Sequence, residues 1–212
     1  MPWIILGIFI SYLIGSIPTA YIFGRLLKGI DIRQFGSGNV GATNALRVLG
    51  TGQGIAVLVL DILKGSLAVI FLGNLIYPKV AFVSDEILRI ILGLSCICGH
   101  NWTIFLRFKG GKGIATTFGV LFGLSIKIAG LKVILSLIIL TWLLIFVIVR
   151  IVSVASVLSG IAFPIYMIIF KQSNILRFTS ILISIFILLR HKSNIKRVFQ
   201  GKESRLRFKK SI

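Results

Sequence analysis

Long apolar runs separated by short polar segments dominate the chain. Residues 133–149 and 175–189 are two examples. Runs of roughly 17–20 apolar residues match the roughly 30 Å hydrocarbon core of a bilayer, at about 1.5 Å of rise per helical residue. A chain in lipid must satisfy its backbone hydrogen bonds internally, so these runs predict membrane-spanning helices.

The spacing of the runs predicts seven helices: 3–23, 53–77, 86–105, 114–126, 133–149, 151–170 and 175–189. The fourth is short for a span, and Pro164 predicts a kink in the sixth. Because Arg25 and Lys28 follow the first run rather than precede it, that run is predicted to be a signal-anchor helix. We therefore expect an all-α integral membrane bundle of seven transmembrane helices. It would form one domain, 1–212, with a basic tail at about 196–212.

Positive charge is distributed unevenly between the predicted loops. The chain carries 24 Lys and Arg residues against 5 Asp and Glu, for a formal net charge of +19. With seven spans, 17 of the 24 fall on the side of the C-terminal tail and 6 on the other, with Lys64 inside the second span. The positive-inside rule then predicts a cytoplasmic C-terminus and an extracellular N-terminus, in the inner (cytoplasmic) membrane. Because the charges flank apolar runs, anionic membrane lipids and not nucleic acid are the expected partners.

The first polar loop, residues 36–47, combines glycines with small polar side chains and ends on an arginine. Its expected ligand contacts are Ser37, Gly38, Asn39, Gly41, Thr43, Asn44 and Arg47. Glycine lets the backbone approach a ligand closely, and the guanidinium fork suits phosphate oxygens. A helix beginning near Thr43 would add its N-terminal amides to an anion site. A flexible loop with a helix N-cap is the alternative, but the combination favours a phosphate or another anion.

A second polar segment, residues 100–113, ends in a glycine loop that presents a lysine. We call Gly110, Gly111, Lys112 and Gly113 the glycine–lysine loop, and His100 begins the segment. No Ser or Thr follows the lysine, so the loop is not a Walker A motif. Lys112 is a candidate phosphate contact, whereas Arg107 and Lys109 are typical of ordinary juxtamembrane charges.

The tail motif, residues 190–203, contains the residues best suited to proton transfer. His191 and Asn194 are three apart and would share a face of a helix. A histidine beside an asparagine can orient a hydroxyl and remove its proton. The basic residues from Arg205 to Lys210 are expected to contact anionic lipid instead.

Polar residues within the apolar runs are informative because they are costly in lipid. Asp61 and Lys64 are three apart in the second run, so a structural ion pair is expected. Ser153 and Ser156 lie close to the predicted cytoplasmic surface. A hydroxyl in a span commonly bonds to its own helix, so for these two serines backbone bonding and substrate contact both remain open.

Together, these segments resemble the bacterial acyl-phosphate-dependent glycerol-3-phosphate acyltransferases, and the resemblance covers essentially the whole chain. The first polar loop resembles the family's first motif, and His100 with the glycine–lysine loop resembles the second. Residues 190–203 resemble the third, through Arg190, His191, Asn194, Gly201 and Glu203. One departure is Thr103, which follows Trp102 where the family usually has a proline, so the turn geometry there is open.

The resemblance implies transfer of a fatty acyl group from acyl phosphate to the 1-hydroxyl of sn-glycerol 3-phosphate. The products would be lysophosphatidate (1-acylglycerol 3-phosphate) and phosphate, in phospholipid biosynthesis. Because the mixed anhydride is already an activated acyl donor, no covalent nucleophile is required, and we expect no metal or other cofactor. The resemblance also implies a seven-helix fold, and we expect the protein to be a monomer.

The residue roles follow from the same resemblance. Arg47 and Lys112, with Ser37 and Thr43, would hold phosphate groups, and His100 and Arg190 are further expected substrate contacts. His191 and Asn194 would position the hydroxyl and help to remove its proton, although a substrate phosphate is an alternative proton acceptor. Ser153 and Ser156 would contact acyl phosphate, and Glu203 would orient a basic side chain of the site.

Two other functions fit part of the pattern. A transporter of a phosphorylated solute would also use basic glycine loops, but the chain shows no internal repeat of the kind expected for inverted halves. A membrane scaffold that binds anionic lipid through its tail would leave the first two motifs unexplained. Neither histidine is followed by an aspartate five positions later. That arrangement is the signature of another acyltransferase class, so a coenzyme A donor is not expected.

Overall fold

The computed structural model describes residues 1–80 and 82–206, and the regular structure in that part of the chain is entirely helical. The α-helices are α1 (Pro2–Ser16), α2 (Thr19–Lys28), α3 (Ala42–Val48), α4 (Thr51–Leu67), α5 (Gly73–Ile76), α6 (Asp85–Asn101), α7 (Ile114–Lys127), α8 (Leu131–Val149), α9 (Val152–Ile169), α10 (Asn174–Arg190) and α11 (Lys192–Phe199). Short 3-10 turns lie at Ile32–Gln34, Tyr77–Lys79 and Ile104–Leu106, and a π turn at Ala68–Leu72 joins α4 to α5. The all-α prediction is confirmed. Most of the basic tail predicted to meet lipid, from residue 207 onward, lies outside the described residues.

Five helical segments of the described chain are long and apolar enough to cross a membrane. They are Pro2–Lys28, Thr51–Lys79, Asp85–Leu106, Leu131–Val149 and Val152–Ile169. A sixth is present if α10 and α11, which meet at an angle of 59°, count as one broken span. α7 is apolar but has only 14 residues, as expected for the short fourth helix. The count of seven spans therefore stays a prediction.

The chain divides into two compact units, Met1–Ala129 and Gly130–Ile212. The first unit contains α1 to α7 and both glycine-bearing loops, and the second contains α8 to α11 and the tail motif. The prediction of a single domain covering 1–212 stays a prediction.

Glycines allow two helix pairs of the first unit to pack with their backbones close together. α1 meets α6 where a Cβ on Gly15 would collide with the carbonyl of Cys96, and one on Gly99 with the carbonyl of Tyr12. α4 meets α7 in the same way, because a Cβ on Gly119 would overlap the carbonyl of Ile62. Close packing of this kind is the main source of helix association in lipid, where no hydrophobic force acts between helices.

The π turn after α4 is stabilised by a buried arginine of α6. A π turn leaves carbonyl oxygens without their usual donors four residues later. Arg89 is 3% exposed. Its guanidinium donates to the carbonyl of Val69 at 2.6 Å and to Asn74 Oδ1 at 2.8 Å. Its Nε donates to the Asp85 carboxylate at 2.8 Å, so the charge is paired as well. The charge of Arg89 is therefore paired, and its N–H groups supply a donor to the irregular turn.

In the second unit, a serine compensates for the proline inside α9. Pro164 has no N–H, so the carbonyl of Gly160 lacks its helical donor. Ser184 Oγ of α10 donates to that carbonyl. A second interhelical contact joins Thr141 Oγ1 of α8 to the hydroxyl of Tyr166 at 2.7 Å. Both bonds satisfy polar groups within the apolar part of the unit, as lipid requires.

Candidate functional site

A small apolar core supports the first polar loop. Ala20, Ile32 and Ala45 are fully buried in it, and Leu106 joins it from the segment before the glycine–lysine loop. Both glycine-bearing segments of the first unit therefore rest on the same packed side chains. The structure begins a helix at Ala42, one residue before the start expected from the sequence.

Asn44 holds the first polar loop in its shape. The residue is 1% exposed, and its Oδ1 accepts a hydrogen bond from the amide of Ser37 at 2.9 Å. Its Nδ2 donates to the carbonyls of Ile32 and Phe35, at 3.2 and 3.1 Å. Gly36 has φ of 62°, and a Cβ there would fall on Asn44 Oδ1. The predicted ligand contact of Asn44 stays a prediction, but its side chain already has a structural role within the loop.

The other predicted contacts of this loop lie at or near the surface. Ser37, Gly38 and Arg47 are exposed, whereas Asn39, Gly41 and Thr43 are partly buried. Gly38 has φ of 70°, a left-handed backbone conformation that favours glycine. The loop therefore presents a hydroxyl, a backbone turn and an arginine outward while its asparagine faces inward.

Asp31 lies beside the loop, and its carboxyl is ionised at neutral pH because its pKa is lowered. Arg33 binds its carboxylate through Nη2 at 2.6 Å and Nε at 2.9 Å. Hydrogen bonds from the Arg33 side chain lower the pKa of the Asp31 carboxyl to about 2, against the opposing effect of its burial. The Asp31 carboxylate therefore partly neutralises Arg33, and Arg25 Nη2 lies 3.8 Å from the same carboxylate.

The glycine–lysine loop wraps around the C-terminal end of α6. The Gly111 amide donates to the carbonyl of His100 at 2.9 Å, and the Gly110 amide donates to the carbonyl of Asn101 at 3.2 Å. A Cβ on Gly110 would collide with those carbonyls, and one on Gly113, which has φ of 78°, would meet Asn101 Oδ1 at 2.6 Å. The glycines therefore allow the loop to lie against the helix end, with the partly buried Lys112 between two buried glycines.

Thr103 forms the turn for which the family usually has a proline. Its φ is −67°, which is close to the value that proline imposes. Its hydroxyl donates to the carbonyl of Ser16 at 2.5 Å and accepts from the amide of Phe105 at 3.3 Å. The carbonyl of Thr103 accepts from the Phe108 amide at 2.8 Å. The departure from the family pattern therefore leaves a well-bonded turn.

A buried polar cluster lies beneath this loop. Asp61 and Lys64 of α4 form the predicted ion pair, with Lys64 Nζ 2.9 Å from Asp61 Oδ1. The same oxygen accepts a hydrogen bond from Thr19 Oγ1 at 2.5 Å. His100 Nδ1 lies 3.8 Å from it. All four residues are at least nine-tenths buried, and Lys64 also donates to the carbonyl of Ile17 at 3.2 Å.

In the second unit, Glu203 gathers three donors around one carboxylate. Ser153 Oγ and Asn194 Nδ2 donate to its Oε1 at 2.8 and 2.5 Å, and Arg197 Nε donates to Oε2 at 2.7 Å. Burial raises the pKa of the Glu203 carboxyl, but these three hydrogen bonds outweigh that effect, and the pKa lies below its ordinary value. The Glu203 carboxylate therefore orients a serine, an asparagine and an arginine at once. The sequence had predicted that it would orient a basic side chain only.

His191 lies at the bend between α10 and α11 and is 2% exposed. Its Nδ1 is 2.8 Å from the carbonyl of Ile187. A carbonyl can only accept, so Nδ1 carries the proton, and the lone pair of the neutral ring is on Nε2. Asn194 lies in the first turn of α11, and its amide is held by Glu203 as described above.

Ser156 differs from Ser153 in its partner. Its Oγ accepts a hydrogen bond from the indole Nε1 of Trp142 at 3.2 Å, and the residue is 2% exposed. Arg190, the last residue of α10, is partly buried. The contact to Trp142 was not predicted, because a tryptophan within an apolar run carries no sequence signal of a polar role.

Thr19 is the other polar partner that was not predicted. It follows Pro18, which ends the first helix and places the threonine at the start of α2. A polar residue directly after a helix-breaking proline was the available signal.

Within residues 1–80 and 82–206, the structure contains no group of three or more His, Cys, Asp or Glu side chains able to hold a metal ion.

Comparison with known proteins places the three motifs within one family. A family model described as glycerol-3-phosphate acyltransferase matches residues 5–201. The glycerol-3-phosphate acyltransferase of Chlorobium phaeobacteroides (strain BS1) is 40% identical over 229 aligned residues, which cover 94% of each chain. That of Thermoanaerobacter sp. (strain X514) is 39% identical over 210 residues, which cover 98% of each chain.

Two crystal structures are also similar. Both are of PlsY (YgiH), an integral membrane glycerol 3-phosphate acyltransferase. The glycerol 3-phosphate form has a TM-score of 0.83 and 35% identity, covering 96% of both chains. The lysophosphatidic acid form has a TM-score of 0.79 and 34% identity, covering 96% of this chain and 95% of that one.

Proposed function

Because the chain belongs to the glycerol-3-phosphate acyltransferase family, we propose that it transfers a fatty acyl group from acyl phosphate to the 1-hydroxyl of sn-glycerol 3-phosphate. The hydroxyl oxygen forms an ester bond to the acyl carbon as the acyl–phosphate bond breaks. Lysophosphatidate and inorganic phosphate leave. The observation that carries the proposal is the family match over residues 5–201, which includes the first two motifs and the third as far as Gly201. The similar crystal structures are described as glycerol 3-phosphate and lysophosphatidic acid forms, which supports the acceptor and the product.

The first unit supplies the phosphate-binding groups. Exposed Arg47 and Ser37, with Thr43, offer donors on the first polar loop, and Lys112 is presented by the glycine–lysine loop. Gly38, Asn39 and Gly41 let the backbone of the first loop approach an anion. Two anionic substrates repel each other, and fixed cations lower that repulsion without reorganising during the reaction. The formal net charge of +19 also attracts anionic substrates from solution.

The second unit supplies the groups for proton transfer. With its proton on Nδ1, His191 offers the Nε2 lone pair to the glycerol hydroxyl. Asn194 and Ser153 are held by Glu203, which fixes the direction of both side chains. Ser156 and Arg190 are further contacts for acyl phosphate. A phosphate oxygen of the substrate is the alternative proton acceptor, and a His191→Asn variant that keeps most of its kcat would favour it.

The protein is a multi-pass integral membrane protein, as are the solved members of its family. We further propose seven spans in one domain, with the N-terminus outside, the C-terminus in the cytoplasm and the active site facing the cytoplasm of the inner membrane. The excess of Lys and Arg on the C-terminal side supports this orientation. Anionic lipids would meet the basic tail, and a monomer would suffice because every proposed group belongs to one chain.

Turnover by the purified protein tests the proposal. Protein in lipid is given acyl phosphate and sn-glycerol 3-phosphate, and phosphate release is followed together with lysophosphatidate formation. We expect phosphate and lysophosphatidate in equal amounts, with no activity from acyl coenzyme A. Uptake of glycerol 3-phosphate into vesicles without turnover would identify a transporter instead.

Point variants test the residue assignments. Arg47→Ala and Lys112→Ala should each reduce kcat/KM at least about tenfold, because a charge-assisted hydrogen bond contributes roughly 1.5–3 kcal/mol. Lys209→Ala is the matched control, since it removes an equal charge from the tail, and its activity should change less than about twofold. Equal and modest losses in all three variants would contradict a specific phosphate site.

A further inference from the structure

The buried cluster of Thr19, Asp61 and Lys64 has no role in the reaction proposed above. A buried ion pair is weak evidence for stability, because desolvation of the two charges offsets most of their attraction. An ionisable pair inside an apolar helix of a membrane protein is also a marker of function. Asp61 is 1% exposed and Lys64 is 6% exposed, so neither charge is solvated at the surface.

His100 connects this cluster to the glycine–lysine loop. One ring nitrogen, Nδ1, is 3.8 Å from Asp61 Oδ1. The other, Nε2, is the atom closest to where a Cβ on Gly111 would lie, so that edge of the ring packs directly on the loop. The imidazole is 5% exposed. Because one nitrogen faces the carboxylate and the other faces the loop, the ring is better placed to hold the loop than to contact a substrate.

The carboxylate acts on the ring through its charge. A separation of 3.8 Å is too long for a hydrogen bond. The carboxylate oxygen, although paired with Lys64, is an acceptor on that side of the ring and favours a proton on Nδ1 over one on Nε2. The lone pair is then on Nε2, on the side of the ring that faces Gly111. In that state the Nε2 edge of the ring packs on Gly111 without an N–H, while the Gly110 and Gly111 amides donate to the carbonyls of Asn101 and His100. A proton on Nε2 would instead point toward the backbone of Gly111.

We propose that Asp61 is a positioning residue that acts through His100 to hold the glycine–lysine loop, and with it Lys112, in its phosphate-binding position. Thr19 and Lys64 hold the carboxylate in place for this task. His100 is accordingly a positioning residue and not a substrate contact. The role of Lys112 in binding phosphate rests on the proposed function, whereas the mechanical link from Asp61 to the loop does not.

A simpler role for Asp61 is to neutralise Lys64. Removing one partner of a buried pair leaves an uncompensated charge and is strongly destabilising, whereas removing both is often nearly neutral. Asp61→Asn alone therefore cannot separate the two roles. The double variant Asp61→Asn/Lys64→Met can, because it removes the charge imbalance and the influence on His100 together.

The experiment compares the wild type with Asp61→Asn, the double variant and the control Ser95→Ala. Ser95 is on α6 and donates to the carbonyl of Ile8, so its variant loses an interhelical bond away from the loop. Melting temperature, amide hydrogen exchange of residues 107–113, and KM and kcat for both substrates are measured. Asp61→Asn should melt well below the wild type, and the double variant should melt close to it.

The double variant decides the question. We expect its Gly110 and Gly111 amides to exchange about tenfold faster than in the wild type, and the KM for one phosphate substrate to rise about tenfold with kcat within about threefold. Normal exchange and normal KM at a restored melting temperature would show that Asp61 only neutralises Lys64, and would overturn the proposal. If the double variant does not fold, Thr19→Val decides in its place by the same exchange measurement, with Thr19→Ser as the conservative variant. Absence of turnover in the wild type would refute the proposed function. The amide hydrogen exchange of the glycine–lysine loop would still test the positioning role of Asp61 in that case.

Discussion

Replacing Glu203 by glutamine should both destabilise the second unit and lower its activity. The variant keeps the size of the side chain but loses the negative charge that three donors share. One of the two terminal atoms becomes an NH2 group, which cannot accept a hydrogen bond. Either Arg197 or the pair formed by Ser153 and Asn194 then faces a donor. The loss of activity is expected because Asn194 is a proposed catalytic residue.

The expected magnitude follows from the burial of the partners. A hydrogen bond to a charged group contributes about 1.5–3 kcal/mol, and Asn194 and Ser153 are both buried. The Arg197 side chain is 38% exposed, so solvent screening reduces its ion pair to about 0–1 kcal/mol. We therefore expect a loss of about 2–3 kcal/mol in unfolding free energy. At roughly 2–4 °C per kcal/mol for a chain of this length, the melting temperature falls by about 4–12 °C.

Acid titration of the wild type provides a second measure of the same carboxylate. The pKa of Glu203 is below its ordinary value in the folded protein, so its stabilising effect is complete above the ordinary value of 4.5. That effect is lost as pH falls from there through the lowered pKa. The melting temperature of the wild type should therefore fall more steeply below pH 4.5 than that of Glu203→Gln.

The assays are thermal unfolding in detergent or lipid and acyl transfer at a temperature where both proteins are folded. We expect kcat/KM of Glu203→Gln to fall at least about tenfold. Arg197→Ala is the matched control, because it removes only the exposed partner and should lose about 1 kcal/mol or less. If Arg197→Ala costs as much as Glu203→Gln, the ion pair and not the orientation of Asn194 and Ser153 is the source of the effect, and the reasoning is refuted.

Three further substitutions test the remaining structural explanations. Gly111→Ala should lower the unfolding free energy by about 1–3 kcal/mol, because the new Cβ overlaps the His100 ring. The same variant should lower kcat/KM about tenfold or more. Wild-type activity in this variant would contradict the packing described. Arg89→Met should cost about 1–3 kcal/mol, because it leaves the carbonyl of Val69 in the π turn without its donor. The Asp85 carboxylate is 34% exposed and stays partly solvated. A loss below about 0.5 kcal/mol in thermal unfolding would argue against that role. Ser184→Ala should cost about 1 kcal/mol of unfolding free energy. In a Pro164→Ala background the same substitution should cost less, because alanine restores a helical donor to the carbonyl of Gly160. Additive effects in the double variant would be evidence against the compensation.

Much of the fold follows from the order of apolar and polar residues. The spans around 53–77, 86–105 and 133–149 were predicted within a few residues, because lipid permits only helices with internally bonded backbones. In the first polar loop a helix was considered from near Thr43, and the structure forms the seven-residue helix α3 from Ala42. That helix is too short to produce a clear period, and its burial depends on a core that includes Ala20 and Leu106, which are distant in the sequence.

The candidate site was only partly predictable. The glycines, Arg47, Lys112 and His191 were selected from residue type and spacing, and they lie within the matched residues 5–201. Glu203 was selected from the family resemblance and lies two positions beyond the match. Which of the site's side chains are held by structural hydrogen bonds was not accessible, because side-chain direction depends on neighbours brought in by other helices. Asn44, for example, has the same residue type as a ligand contact, but the backbone around it takes up three of its hydrogen bonds.

The sequence by itself determined that the chain is helical and built for a membrane, and it identified the motifs that carry the family's chemistry. These conclusions depend on local hydropathy and on residues close together in the chain. Only the tertiary structure decided that Thr19, Asp61 and His100 meet beneath the glycine–lysine loop, although residues 19 and 100 are more than 80 positions apart. Close approach of helix backbones at Gly15, Gly65, Gly99 and Gly119 makes that meeting possible, and no local pattern in a single sequence records which helices pack together.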